Sequence, residues 1–174
     1  MRVEWDLNDL EDWQRDFLDE YQANWGHLLP AHTADNIIFA QDSGNPKLLL
    51  IQRGGEPYAG CWAFPGGFAD PNEEIQATAL RELEEETGIS DFPEDQMQLV
   101  GTYEGYTGRD PRGDITSTVF VSVIPDELDV LPLDDASGAQ WWSISDVSWD
   151  DLAFDHALIL EDALPIAENL GLYD

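Results

Sequence analysis

The sequence predicts a mixed α/β fold, an α/β/α sandwich in which one sheet has helices on both sides. Short apolar runs rich in β-branched and aromatic residues alternate with segments whose apolar residues recur at helical spacing. Gly, Pro and Asn clusters separate these segments. A chain of 174 residues that is 43% hydrophobic is also long enough for one domain to bury its own core.

The first 33 residues differ from the rest of the chain. Between residues 4 and 25, apolar and aromatic side chains recur close to helical spacing, and Gly26 can end that helix. We therefore predict an N-terminal helical segment over residues 1–33 and a main domain over residues 34–174. The segment would pack on the domain or on a second copy of the chain, so a homodimer is the expected assembly.

Two buried strands and a Gly-rich stretch open the main domain. Apolar residues predict strands at 36–40 and 48–51, joined by a turn at Asn45-Pro46. Arg53 stands at the end of the second strand. Residues 54–68 then contain five glycines, Gly66 and Gly67 among them, and read as loops and turns.

A helix follows this stretch. Asp70 is its predicted N-cap, Pro71 suits the first helical position, and Glu73 completes a capping box. Gly88 is the predicted stop signal.

The C-terminal half contains more strands and a second helix. The predicted elements are strands at 97–103, 115–124 and 139–144, a turn at 108–113 and a helix at 156–164. Asp155 is the predicted N-cap of this helix, which we expect Pro165 to interrupt before it resumes to about Leu170.

The charge is extreme. There are 37 acidic residues against 7 basic ones, a net charge of -30. Such a polyanion repels phosphates, so neither general nucleic-acid binding nor binding to anionic membranes is expected. The excess is typical of salt-rich cytoplasm, where ions screen self-repulsion, and equally of an acidic lineage without that habitat.

Location and redox state follow from smaller observations. The first residues lack the apolar core of a signal peptide, and no apolar run approaches the ~20 residues of a membrane span. We therefore expect a cytoplasmic protein. Its one cysteine, Cys61, cannot form an intramolecular disulfide, and we expect a buried or half-buried thiol.

The scarce positive charges are concentrated in one part of the chain. Four of the six arginines, Arg53, Arg81, Arg109 and Arg112, lie between residues 53 and 112. A chain that nearly lacks positive charge and keeps it there is expected to need it there. Guanidinium groups suit bidentate contacts to phosphates, although pairing with the plentiful carboxylates is the alternative.

The predicted helix 70–88 carries a costly pattern. Glu82, Glu85 and Glu86 stand at i, i+3 and i+4, so their carboxylates share one face near the negative end of the helix dipole. Repulsion and dipole each cost about 0.3–1 kcal/mol per group. A bound Mg²⁺ or Mn²⁺ reverses this cost, because hard cations prefer clustered oxygen ligands. A solvated acidic face is the alternative.

The spacing around these glutamates favours a metal site over a solvated acidic face, because it matches a known motif. Gly67, five residues, Glu73, seven residues and then Arg81-Glu82-Leu83-Glu84-Glu85-Glu86-Thr87-Gly88-Ile89 match the Nudix box at every specified position. Residues 49–53, 60–68, 108–113 and 154–156 also resemble the ADP-ribose pyrophosphatase-like branch of that superfamily. The resemblance covers roughly residues 35–165.

The resemblance implies a Mg²⁺- or Mn²⁺-dependent hydrolase of nucleoside diphosphate derivatives, most of all of ADP-ribose to AMP and ribose 5-phosphate. It implies that Glu82, Glu85, Glu86 and the Gly66 carbonyl hold the metal, and that Arg81 orients the glutamates. Arg53, Gly67, Arg109 and Arg112 are the implied substrate-binding residues. Other nucleotide substrates remain open, as does a non-catalytic ADP-ribose sensor, against which the intact box argues.

The resemblance leaves two roles open. The general base is either a glutamate of the box or a residue of a later loop, with Glu127, Asp134 and Asp135 as candidates. An aromatic slot for adenine has the candidates Trp62, Phe68, Tyr103 and Tyr106. We read the segment Phe154-Asp155-His156 as structural.

Overall fold

The computed structural model describes residues 31–41, 44–134 and 136–173. Its strands are β1 (Ala31–Ala40), β2 (Lys47–Arg53), β3 (Trp62–Ala63), β4 (Gly66–Phe68), β5 (Gln98–Tyr103), β6 (Ile115–Ile124) and β7 (Ala136–Ser143). The two α-helices are α1 (Ile75–Thr87) and α2 (His156–Asn169).

The described strands form one seven-stranded mixed sheet. β1 and β6 lie side by side in parallel along their whole length, and β5 extends the sheet antiparallel to β6. β2 pairs antiparallel with β1, β3 and β7. β4 also pairs with β1, which places Gly66 opposite Asp35 and Gly67 opposite Ala34.

The alternation of side chains along β1 divides the core into two layers. Ile37 and Phe39 point into a cluster that includes Ile159 and Leu160 of α2. Their neighbours, such as Ile38, belong to a second cluster that includes Ala79 and Leu83 of α1. The predicted arrangement, a mixed sheet with a helix on each side, is confirmed.

The prediction for the start of α1 was wrong. The helix begins at Ile75, with Glu74 as its N-cap, and Asp70 instead starts a turn in which Glu73 donates its N–H to the Asp70 carbonyl at 3.0 Å. The capping-box contact does form across this turn, since the Asp70 N–H donates to Glu73 at 3.0 Å. The end is as predicted, with left-handed Gly88 (φ 74°) as the C-cap.

The predicted break at Pro165 was also wrong. α2 runs from His156 to Asn169 with the proline inside it. Proline removes one backbone hydrogen bond from a helix. Ile159, Leu160, Ala163 and Ala167, however, are all fully buried on the core side of α2, so packing on the sheet holds both halves in line.

The predicted N-terminal segment lies outside the described residues except for its last three, which belong to β1. Cys61 is half-buried and forms no disulfide, as expected. Within the described ranges, no helix is long and apolar enough to span a bilayer.

Candidate active site

A cleft of about 330 Å³ opens beside the paired strands β1 and β4. One of its sides is built from α1 and contributes Arg81 and three glutamates, Glu82, Glu85 and Glu86, which we call the glutamate cluster. Arg53, Arg109 and Arg112, which we call the arginine cluster, line the same cleft. Every arginine of the described part of the chain therefore borders this one cavity.

Arg81 holds the glutamate cluster together. Its Nη1 donates to Glu82 at 2.7 Å and to Glu85 at 3.0 Å. Its Nε and Nη2 donate to the two carboxylate oxygens of Glu73, each at 2.9 Å, and Nη2 also donates to the Phe68 carbonyl at 2.9 Å. The glutamates thus share a cation at the end of the helix where repulsion is worst.

Glu73 is therefore primarily the anchor of Arg81. The hydrogen bonds from Arg81 hold the pKa of Glu73 well below its ordinary value of 4.5, at about 2. The same partners raise the pKa of Arg81, with Glu73 as the largest cause. Their mutual stabilisation keeps this pair charged at neutral pH.

Glu86 ties α1 to the glycine turn. Its side chain is buried and accepts a hydrogen bond from the Gly66 N–H at 2.8 Å. A Cβ at position 66 would lie 2.3 Å from the Ala34 carbonyl oxygen, and one at position 67 would lie 2.5 Å from the Glu82 carboxylate. Both positions therefore require glycine, because any side chain would separate the backbone from β1 and from the glutamates.

The residues at this side of the cleft fit a divalent cation. Glu82, Glu85 and Glu86 offer carboxylates on one helix face, and the space that a Cβ of Gly67 would fill is adjacent to the Glu82 carboxylate. Within the described ranges, however, no group of three or more acidic, His or Cys side chains stands close enough to hold a metal ion by itself. That donor set suits Mg²⁺, which usually takes one or two protein carboxylates and fills its other positions with water and phosphate oxygens.

Two members of the arginine cluster are paired with carboxylates, one half-buried and the other buried. Arg109 donates from Nε and Nη2 to the two oxygens of Asp155, at 2.8 and 2.6 Å, and its side chain is only 6% exposed. Arg112 binds Asp110 through both its backbone N–H (2.9 Å) and its guanidinium (2.7 Å). The turn at 108–113 is thus fastened by the same arginines that border the cleft.

The segment Phe154-Asp155-His156 contributes all three of its side chains to the site region. Asp155 is the N-cap residue of α2, but its side chain makes no capping bond and instead holds Arg109. His156 is buried, accepts the Phe64 N–H at 3.1 Å and stacks on the Phe64 ring with centroids 4.4 Å apart. Burial lowers the pKa of His156 well below 6.5, and the nearby arginines lower it further, so the ring is neutral.

The sequence reasoning missed Asp35. This carboxyl lies in β1 opposite Gly66, is 7% exposed and accepts a hydrogen bond from Ser117. Burial raises its pKa to about 6, against the opposing effects of Ser117 and the Arg109 charge. The available signal was an acidic residue just before the apolar run 37–40 of this strand.

The remaining candidates for the general base and for the adenine slot do not all lie at the cleft. Asp134 lines the cleft, whereas Glu127 forms an ion pair with Lys47, and Asp135 lies outside the described residues. Among the aromatic candidates, Phe68 lines the cleft.

Two other aromatic candidates, Trp62 and Tyr103, do not line the cleft. Trp62 packs edge-on against Trp142 and borders a separate small cavity, and Tyr103 donates to Asp162 at 2.9 Å. The side chain of Tyr106 is outside the described part.

Comparison with known proteins places this geometry in context. The chain is 39% identical over 137 residues to an ADP-ribose pyrophosphatase of Methanocaldococcus jannaschii, which covers 78% of this chain and 74% of that protein. It is 32% identical over 159 residues to an ADPR-responsive transcriptional repressor of Acinetobacter baylyi. This match covers 90% of the chain and only 62% of the repressor.

A solved structure shares the fold. The bifunctional NMN adenylyltransferase/ADP ribose pyrophosphatase of Francisella tularensis, complexed with AMP and a Mn ion, superposes with a TM-score of 0.72 at 25% identity. The superposition covers 88% of this chain and 47% of that one. The NUDIX domain family matches residues 30–163. The chain therefore belongs to the NUDIX domain family, on its ADP-ribose pyrophosphatase-like branch, and is a Nudix hydrolase.

Proposed function

We propose that this protein hydrolyses the diphosphate bond of ADP-ribose, with Mg²⁺, to AMP and ribose 5-phosphate. The observation that carries the proposal is the convergence of the glutamate and arginine clusters on one cleft, in a protein whose net charge is -30. Acidic side chains outnumber the arginines around the cleft, so a diphosphate enters there only where the arginines and a bound cation together offset the carboxylates.

Each cluster has a distinct part in the reaction. Glu82, Glu85, Glu86 and the Gly66 carbonyl would hold the cation, and Arg81, which donates to Glu82 and Glu85, keeps these two carboxylates oriented. When bound, the cation would neutralise phosphate charge and lower the pKa of a bound water molecule. Gly67 lets the substrate approach the backbone, and Arg53, Arg109 and Arg112 supply the positive charge for the rest of the diphosphate and the terminal ribose.

The choice of ADP-ribose is supported by the relatives, since the archaeal one is named an ADP-ribose pyrophosphatase and the repressor is named as ADPR-responsive. The cleft of about 330 Å³ is at the lower end of the range for small-molecule sites. Mn²⁺ is the expected substitute for Mg²⁺, as the Francisella structure contains a Mn ion. A cytoplasmic homodimer completes the proposal.

A second candidate is a regulator that binds ADP-ribose without hydrolysing it. The similarity to the repressor favours it, although this chain spans only 62% of that protein. The intact glutamate cluster and the excess of negative charge, which opposes DNA binding, favour the hydrolase.

The deciding experiment is a substrate panel. Purified protein is incubated with Mg²⁺ and, separately, ADP-ribose, NADH, a dinucleoside polyphosphate and an oxidised nucleotide, and products are identified by mass spectrometry. We expect kcat/KM for ADP-ribose to exceed the others by about 10-fold or more. A higher value for another nucleotide would replace the substrate, and tight ADP-ribose binding without turnover would favour the regulator.

A further inference from the structure

Phe154 has a backbone conformation that is unfavourable for a residue with a bulky side chain. It is the first central residue of a tight turn, which the His156 N–H closes by donating to the Ala153 carbonyl at 3.1 Å. Its φ is +54°, a value at which glycine is favoured and a bulky residue is an outlier. Tyr58, whose φ of +64° is likewise left-handed, contacts the Phe154 ring edge-on with centroids 4.8 Å apart.

The ring of Phe154 joins two members of the arginine cluster. The guanidinium carbons of Arg53 and Arg112 lie over it at 5.0 and 5.1 Å from its centroid. Arg112 also lies 5.0 Å from the centroid of the Phe68 ring. These two arginines come from positions 59 residues apart in the chain (112 − 53), and Phe154 belongs to neither of their segments.

These contacts explain why a phenylalanine is present where glycine would fit the backbone better. Two guanidinium groups repel each other, and a rotamer-rich side chain loses entropy when it is fixed. An aromatic ring opposes both effects, because its negative face attracts cations and its flat surface orients the guanidinium planes. Strained residues of this kind cluster at functional sites, where the strain is offset by a specific side-chain position.

We infer that Phe154 is a positioning residue that holds Arg53 and Arg112 ready to bind a diphosphate. Asp155 fastens Arg109 in the same turn, so this short segment organises the whole arginine cluster. The inference rests on the proposed function only in that the cleft takes a diphosphate; it does not depend on hydrolysis or on the nucleoside.

The test uses a diphosphate that cannot be hydrolysed. Binding of methylenediphosphonate with Mg²⁺ is measured by calorimetry for the unchanged protein and for the variants Phe154→Leu, Phe154→Tyr and Phe154→Gly. Leucine keeps an apolar side chain but removes the π face, tyrosine restores it, and glycine relieves the backbone while removing the ring. Asp91→Gly is the matched control, because Asp91 also has a positive φ (54°) but is exposed and does not line the cleft.

We expect Phe154→Leu and Phe154→Gly each to raise Kd by roughly 5-fold or more. Phe154→Tyr and Asp91→Gly should stay within about 2-fold of the unchanged protein, because the aromatic face is kept in both. Relief of the left-handed φ should make Phe154→Gly melt no lower than Phe154→Leu. With ADP-ribose as substrate, the two ring-less variants should raise KM more than they lower kcat.

Unchanged affinity in both ring-less variants, no rescue by tyrosine, or no binding of methylenediphosphonate to the unchanged protein would each overturn the inference. Failure of the unchanged protein to hydrolyse ADP-ribose while it binds the diphosphonate would overturn the proposed reaction and leave the role of Phe154 intact.

Discussion

The two charged clusters of the cleft are built in opposite ways. The glutamate cluster comes from one helix, and a single cation, Arg81, binds two of its three carboxylates, those of Glu82 and Glu85. The arginine cluster comes from β2 and from the turn at 108–113, and it is held by Asp110, Asp155 and the ring of Phe154. The first is a local sequence pattern and the second exists only after folding. We therefore expect the proposed reaction to depend on the glutamates, and the arginines to contribute to both substrate binding and stability.

The largest expected effect is on the glutamate cluster. Glu85→Gln and Glu86→Gln each remove ligand charge for the cation and should lower kcat by about 100-fold or more, because the developing phosphate charge is no longer neutralised. The assay is ADP-ribose hydrolysis with saturating Mg²⁺. Glu84→Gln is the control, because Glu84 lies on the same helix, is exposed and does not border the cleft.

The control should retain nearly full turnover. If Glu85→Gln or Glu86→Gln behaved like Glu84→Gln, that glutamate would not be a metal ligand. A stability measurement accompanies the assay, since Glu86 also accepts the Gly66 N–H and its loss could loosen the glycine turn.

The second-largest expected effect is on the free energy of unfolding, and it tests whether the arginine cluster stabilises the fold. Arg109→Ala leaves Asp155 without its bidentate partner at a position where the Asp155 side chain is only 19% exposed. We expect unfolding by urea to show a loss of about 2–3 kcal/mol. Asp155→Asn and the double variant complete a cycle that isolates the coupling between the two groups.

The opposite result would change the interpretation of the turn. If Arg109→Ala raised KM by roughly 10-fold or more with an unchanged melting temperature, the guanidinium would be held for substrate and the ion pair would be incidental.

A smaller effect concerns Glu73 and pH. Because the folded pKa of Glu73 is about 2, below its ordinary 4.5, its contribution to stability is complete above about pH 4.5 and is lost as pH falls toward 2. Glu73→Gln should therefore cost about 1–2 kcal/mol at pH 7, and this difference should shrink between pH 4.5 and 2. Urea unfolding at several pH values measures it, with exposed Glu74→Gln as the control. A difference that stayed constant down to pH 2.5 would contradict the pairing with Arg81.

The contrast between local and assembled features also explains what the sequence could predict. The spacing of the glutamates on one helix, the glycines before it and the run of apolar strands are local, and they predicted the fold and the family correctly. Glu82, Glu85 and Glu86 line the cleft, and their role as metal ligands stays a prediction. The contacts of Phe154 and the burial of Asp35 depend on which strands become neighbours, so no spacing rule reveals them. The start of α1 was misplaced because the Asp70–Glu73 contact satisfies the capping pattern across a turn.

The smallest expected effect uses Lys47, the one Lys or Arg of the described ranges that lies outside the cleft. Lys47 pairs with Glu127 on the surface, where the two side chains are 27% and 35% exposed. Such pairs contribute about 0–1 kcal/mol, and salt screens them. Lys47→Ala should therefore lower the free energy of unfolding by no more than about 1 kcal/mol at low ionic strength, and the loss should disappear in about 1 M KCl. The loss in Arg109→Ala should persist there, because that pair is shielded from solvent. A loss in Lys47→Ala that resisted salt would mean that surface and cleft cations contribute to stability in the same way.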